Sequence, residues 1–125
     1  MLIDSDVLIW AARGNVNAKN AICENIPFNI SVITYMEVVQ GVLNKRELDL
    51  FKRKLTEWQT NIIHINRSIS VNAMHLVETY HLSHSMELAD AEIAATALEY
   101  SETLLTGNDK HYKFIPNIKI KKFIP

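Results

Sequence analysis

The sequence predicts a single α/β domain: a mainly parallel sheet with helices on both faces. Three observations lead there. Short apolar runs recur at Leu2-Ile3, Phe28 to Ile33, Asn61 to Ile65, Thr103 to Thr106 and around Ile118 and Ile120. Segments with helical spacing of apolar residues stand between the first four of them. The length, 125 residues, suits one hydrophobic core and no second domain.

Leu2 and Ile3 form the first strand, and Val7-Leu8-Ile9-Trp10 resume the apolar run as a first helix. Asn15 is placed to cap a second helix reaching about Asn25, with Val16, Ile22, Cys23 and Ile26 as its apolar positions and Pro27 stopping it. Phe28 to Ile33 is the second strand. Thr34-Tyr35-Met36-Glu37 then has the form of a capping box, ahead of a third helix whose Val38, Val39, Val42 and Leu43 share one side. Gly41 inside that helix costs about 1 kcal/mol relative to Ala, which implies close packing there. From Glu47 to Trp58 the spacing of Leu48, Phe51, Leu55 and Trp58 gives an amphipathic helix.

Asn61 to Ile65 is the third strand. Ser68 caps a helix from Ile69 to Tyr80 with Val71, Met74, Leu76 and Val77 or their neighbours inward, and the polar stretch His81 to Met86 reads as a surface loop. Glu87 to Tyr100 is a strong helix, with alanine at 89, 91, 94, 95 and 97 allowing close approach to the sheet. Thr103 to Thr106 is the fourth strand, Gly107-Asn108-Asp109 a turn, and Ile118, Ile120 and Phe123 mark the last strand.

Composition narrows the function. Hydrophobic residues make up 48% and charged residues 22%, with no apolar run near the ~20 residues of a membrane span, so a soluble protein with no membrane partner is expected. The lone Cys23, and an amino terminus without a basic, apolar leader, point to a reducing cytoplasm. A formal net charge of -1 gives no global attraction to nucleic acid. Ten of the thirteen basic residues are nonetheless clustered: Lys45 and Arg46; Lys52, Arg53 and Lys54; Lys110 and Lys113; Lys119, Lys121 and Lys122. Solvated helix faces and a lysine-guarded edge strand explain each cluster equally well.

In a parallel sheet the carboxyl ends of the strands line one edge, and ligands bind in the crevice outside it. Asp4 follows the first strand, Glu37 falls in the first turn after the second, Asp90 lies early in the alanine-rich helix, and Asn108 follows the fourth strand. Each has a purely structural reading: capping for Asp4, Asp6 and Glu37, helix-dipole complementation for Asp90, turn formation for Asn108 and Asp109. Those readings do not require the acids to share an edge. Carboxylates brought together repel one another unless a cation neutralises them. All-oxygen donors without cysteine or paired histidine suit Mg²⁺ or Mn²⁺. The five histidines are scattered, and only His111 falls near the proposed edge. With no phosphate-binding loop, dinucleotide motif or nucleophile elbow, the chemistry that remains is phosphoryl hydrolysis by a metal-activated water.

With these residues in place, the chain resembles the PIN domain, and within it the VapC-type toxin ribonucleases of bacterial toxin–antitoxin pairs. The resemblance spans residues 1–125 as one PIN-like domain. Leu2 to Trp10 matches the opening strand and first acid, Ser31 to Glu37 the second acid, Leu88 to Ala97 the third, and Leu104 to Tyr112 the closing motif. It implies a three-layer α/β/α sandwich and Mg²⁺-dependent endonucleolytic cleavage of RNA. It also implies a homodimer and inhibition by a cognate antitoxin. Asp4, Glu37 and Asp90 would hold the metal, and Asn108 or Asp109 would take a fourth position that is Asp or Asn in relatives. Asp6 would stand beside the metal, and Ser5 and Thr106 would hydrogen-bond to the carboxylates. The rivals are a PIN-type RNA-processing nuclease without an antitoxin and a non-catalytic nucleic-acid-binding module whose acids are structural.

Overall fold

The computed structural model describes residues 1–125. Five short strands, β1 (Leu2–Ile3), β2 (Asn29–Ser31), β3 (Asn61–Ile63), β4 (Thr103–Thr106) and β5 (Lys119–Lys122), form one sheet in the order β3-β2-β1-β4-β5. Every pairing is parallel. Six helices cover it: α1 (Ser5–Ala12), α2 (Val16–Glu24), α3 (Val32–Gly41), α4 (Lys45–Glu57), α5 (Arg67–His84) and α6 (Leu88–Glu99).

The three layers follow from the alternation of strand side chains. Leu2 and Leu104 point to the side of α5 and α6, where they meet Ile69, Ala73, Ile93 and Ala94. Ile3, Ile30 and Leu105 point to the other side, against Val7, Leu8, Ala18, Ile22 and Leu55 of α1, α2 and α4. Ala91, Ala94, Ala95 and Ala97 are buried to the last per cent, as the small side chains of α6 require. The result is the α/β/α sandwich expected from the alternation of strands and helices.

Several local expectations are corrected. The capping box at Thr34 is not used: Ser31 caps α3, its Oγ accepting from the Ile33 N–H, so Val32 and Ile33 are helical and β2 is shorter than Phe28 to Ile33. A hydroxyl at the strand's end outcompetes one three residues on. Gly41 is the last residue of α3, and a Cβ there would touch nothing within 4 Å, so it marks an exposed helix end rather than a packing contact. Val16, Cys23 and Leu43, read as apolar helix positions, are exposed.

Helix α1 begins at Ser5, ahead of its apolar run, and α4 at Lys45 behind the cap Asn44. Asn66, not Ser68, caps α5, and the helix runs past Tyr80 to His84, where Ser85 takes a left-handed conformation. Residues 81–84 are therefore helix, although their polarity suggests a loop. Leu76 and Val77 pack inward as read, but Val71 and Met74 are exposed and Ile69 and Ala73 fill the core. Strand β3 stops at Ile63, and β5 ends before Phe123, whose buried ring packs beneath the sheet.

Candidate active site

The strand order reverses between β1 and β4, the neighbours that send the chain to opposite sides of the sheet. The crevice outside their carboxyl ends is the place where such a fold receives a ligand. Asp4 leaves β1 there with its N–H bonded to the Leu105 carbonyl at 3.0 Å, and its side chain caps α1 through the Ser5 N–H at 2.8 Å. Only 4% of Asp4 is exposed, so its charge must be met by donors. Thr106 Oγ1 at the end of β4 donates to Asp4 Oδ2 at 2.8 Å, and the Tyr112 hydroxyl donates to the same oxygen at 3.1 Å.

The other acids join through hydroxyls. Ser5 Oγ donates to Glu37 Oε1 at 3.1 Å, which brings the middle of α3 to the start of α1. The Tyr112 hydroxyl lies 3.2 Å from Asp90 Oδ1 on the first turn of α6. His111 Nδ1 faces Asp90 Oδ2 at 3.3 Å from the half-exposed rim. Asp6, one residue into α1, accepts from the Gly107 N–H at 2.8 Å with one oxygen, while its Oδ1 is buried without a partner. A continuous polar chain therefore runs from Glu37 through Ser5, Asp4 and Tyr112 to Asp90 and His111.

The electrostatics follow from this crowding. Burial, reinforced by the Asp4 charge, pushes the Asp6 carboxyl up to about 6 despite the Gly107 N–H. Burial also raises Glu37, against the Ser5 hydrogen bond and with repulsion from Asp4, Asp90 and Asp6. Asp90 is raised by burial, opposed by His111 and reinforced by Asp4. Tyr112 is held as a phenol by burial and by Asp4 and Asp90.

No lysine or arginine pairs with Asp4, Asp6, Glu37 or Asp90. No three His, Cys, Asp or Glu side chains converge closely enough to hold an ion by themselves, because hydroxyls stand between the acids. The donors nonetheless fit a hard divalent cation: they are all oxygen, mutually repelling, and include an unpartnered buried carboxylate oxygen on Asp6.

Asp4, Asp6, Glu37, Asp90, Ser5 and Thr106 thus lie together at the carboxyl edge of β1 and β4. The candidates for the fourth position differ. The Asn108 N–H donates to Thr106 Oγ1 at 3.0 Å, at the start of a short 3-10 turn (Asp109–His111), whereas Asp109 Oδ1 turns to Lys122 at 3.7 Å. Tyr112 is the residue that sequence reasoning passed over. It stands in the closing motif without a role, since its partners lie 108 and 22 residues away. The usable signal was the tyrosine itself, whose buried hydroxyl needs a partner.

The PIN domain family matches residues 1–115. The chain belongs to the PIN domain family. No curated protein matches the sequence significantly. Among solved structures, a toxin–antitoxin complex from Klebsiella pneumoniae is 30% identical, with 94% of this chain and 93% of that one aligned at a TM-score of 0.79. DNA-bound VapBC from Salmonella typhimurium is 17% identical, with coverage of 98% and 97% and a TM-score of 0.84. FitAcB from Neisseria gonorrhoeae is 21% identical, with coverage of 95% and 94% and a TM-score of 0.74. At those identities the last two speak for the fold alone.

Proposed function

We propose that this PIN domain is a VapC-type toxin: a divalent-metal-dependent endoribonuclease kept inactive by a cognate antitoxin. One observation carries the reading. Acids from positions 4, 6, 37 and 90 gather around the switch point of the sheet, bridged by the Ser5 and Tyr112 hydroxyls and the Gly107 N–H, with no lysine or arginine paired to them. Asp4, Glu37 and Asp90 would hold Mg²⁺, or Mn²⁺ in its place, with Asn108 completing the set and Asp6 beside it. A cation bound there supplies an activated water and stabilises the charge that develops on the phosphate.

The chain's own residues do the positioning. Ser5 and Thr106 hold Glu37 and Asp4 by hydrogen bonds, and burial of Asp4 keeps competing water away from it. Lys110 and Lys113, exposed beside the 3-10 turn, suit the backbone of a single-stranded RNA entering the crevice. Trp10 and Met36, 38% and 47% exposed, offer an apolar footing for an antitoxin segment, which would set a basic side chain among the acids. A cytoplasmic homodimer completes the reading.

The test is cleavage of total cellular RNA by the purified chain. Mg²⁺-dependent cuts that EDTA abolishes, and that Asp90→Asn lacks while retaining its fold, are the expected result. Cleavage that survives both EDTA and Asp90→Asn would overturn the assignment.

A further inference from the structure

Tyr112 is 1% exposed, and its ring is packed among Leu104, Ile115 and the alanines of α6. The core fixes the ring, so the position of its hydroxyl is fixed as well. A buried tyrosine needs only one partner for that hydroxyl. Here both neighbours are carboxylates, Asp4 Oδ2 at 3.1 Å and Asp90 Oδ1 at 3.2 Å, delivered by β1 and α6. The hydroxyl, with its single proton, stands between the two carboxylates and within hydrogen-bond distance of each.

We propose that Tyr112 is a positioning residue whose hydroxyl ties Asp90 to Asp4 and presets the spacing of the two carboxylates before a cation arrives. The inference rests on the metal-dependent nuclease reading above. The two acids depend on the hydroxyl unequally. Without it, Asp4 keeps the Ser5 N–H and Thr106 Oγ1. Asp90 keeps only His111, whose side chain is 46% exposed. Loss of the hydroxyl should therefore free Asp90 and leave Asp4 in place. Partners that orient a metal's ligands in this way are typically worth 10–100-fold in affinity or activity.

The experiment compares the full chain with Tyr112→Phe, which keeps the ring and its packing. Mn²⁺ binding is followed by titration calorimetry, cleavage by kcat and KM on a mapped RNA, and folding by circular dichroism. The expected result is a folded variant with Mn²⁺ affinity about tenfold or more weaker, kcat lowered and KM for RNA little changed. Replacement of Tyr112 by 4-aminophenylalanine, which restores a donor, should recover most of the loss. Equal Mn²⁺ affinity and kcat in Tyr112→Phe, with the parent active, would overturn the role of Tyr112 and leave the nuclease reading intact. A parent chain that neither binds Mn²⁺ nor cleaves RNA would overturn that reading and this inference with it. Should Tyr112→Phe fail to fold, the 4-aminophenylalanine variant decides: parent-like Mn²⁺ binding supports the tie, and its loss in a folded protein overturns it.

Discussion

The Gly107 N–H donates to Asp6 Oδ2 at 2.8 Å, joining the end of β4 to the first turn of α1 across 101 residues of sequence. The approach is so close that a Cβ on Gly107 would meet that oxygen at 2.6 Å and the Phe123 carbonyl at 3.3 Å. Gly107→Ala must therefore displace Asp6 or lift β4 from β5. A cost of about 1–3 kcal/mol is expected, as for other overpacked sites, visible as a lower denaturation midpoint. Activity should fall further than stability, because the displaced carboxylate belongs to the crevice. An alanine variant with parental stability and activity would show that the contact is dispensable.

Asp6 also sets a pH dependence. Its carboxyl is raised from 3.8 to about 6, mainly by burial, so the folded chain holds this proton more tightly than the unfolded one. Protonation therefore favours the fold. Between pH 3.8 and about 6 the unfolded chain has released the proton while the folded chain retains it, so this contribution is lost as pH rises through that window. Glu37 and Asp90 are raised in the same direction. In EDTA, the melting temperature of the parent minus that of Asp6→Asn should decline across the window and flatten above it. A difference that grows with pH would contradict the burial of an uncompensated carboxylate.

A divalent cation should reverse that penalty at neutral pH. Binding to the folded state alone stabilises by about 2.7 kcal/mol when the free ion is at a hundred times its Kd. Thermal melts at pH 7 should shift upward with Mg²⁺ or Mn²⁺ and return with EDTA. The shift should shrink in Glu37→Gln, since Glu37 is held in the crevice by Ser5. Melts indifferent to millimolar Mg²⁺ would count heavily against a metal site.

The sheet, its flanking helices and the placing of Asp4 and Glu37 at one edge were legible from periodicity and strand order, whereas Asp90, on a helix that follows no strand directly, was placed there by its alanine-rich setting and the family resemblance. Chain ends of helices were less so. Thr34 with Glu37 satisfies the pattern of a capping box, yet Ser31 caps the helix three residues earlier and frees Glu37 for Ser5. The local signal was correct in kind and wrong in register. Residues 81–84 read as loop because polarity was the only cue, while α5 simply continues with an outward polar face. Tyr112 carried a signal in being a tyrosine, but its partners Asp4 and Asp90, 108 and 22 residues away, emerge only in the folded chain, as does the unpartnered oxygen of Asp6.

Asp90, Asn108 and Asp109 separate a metal-binding role from structural ones. If Asp90 holds metal, Asp90→Asn keeps size and polarity but removes the charge, so activity should fall by orders of magnitude with the fold retained. A helix-dipole role alone predicts a loss of only ~0.3–1 kcal/mol in stability and near-normal cleavage. Asp109 is turned toward Lys122, so Asp109→Ala should trim stability slightly through a surface ion pair and leave cleavage close to parental. Asn108 begins the 3-10 turn with its N–H on Thr106 Oγ1, the hydroxyl that also holds Asp4. That backbone bond survives Asn108→Ala, so only the side chain's contribution is removed, and an intermediate loss of activity is expected. Measured on one RNA at saturating Mg²⁺, with circular dichroism as the check on folding, the order of damage should be Asp90→Asn, then Asn108→Ala, then Asp109→Ala. Asp109→Ala falling below Asn108→Ala would move the fourth position to the neighbouring acid. An active Asp90→Asn with normal Mg²⁺ dependence would remove Asp90 from the site.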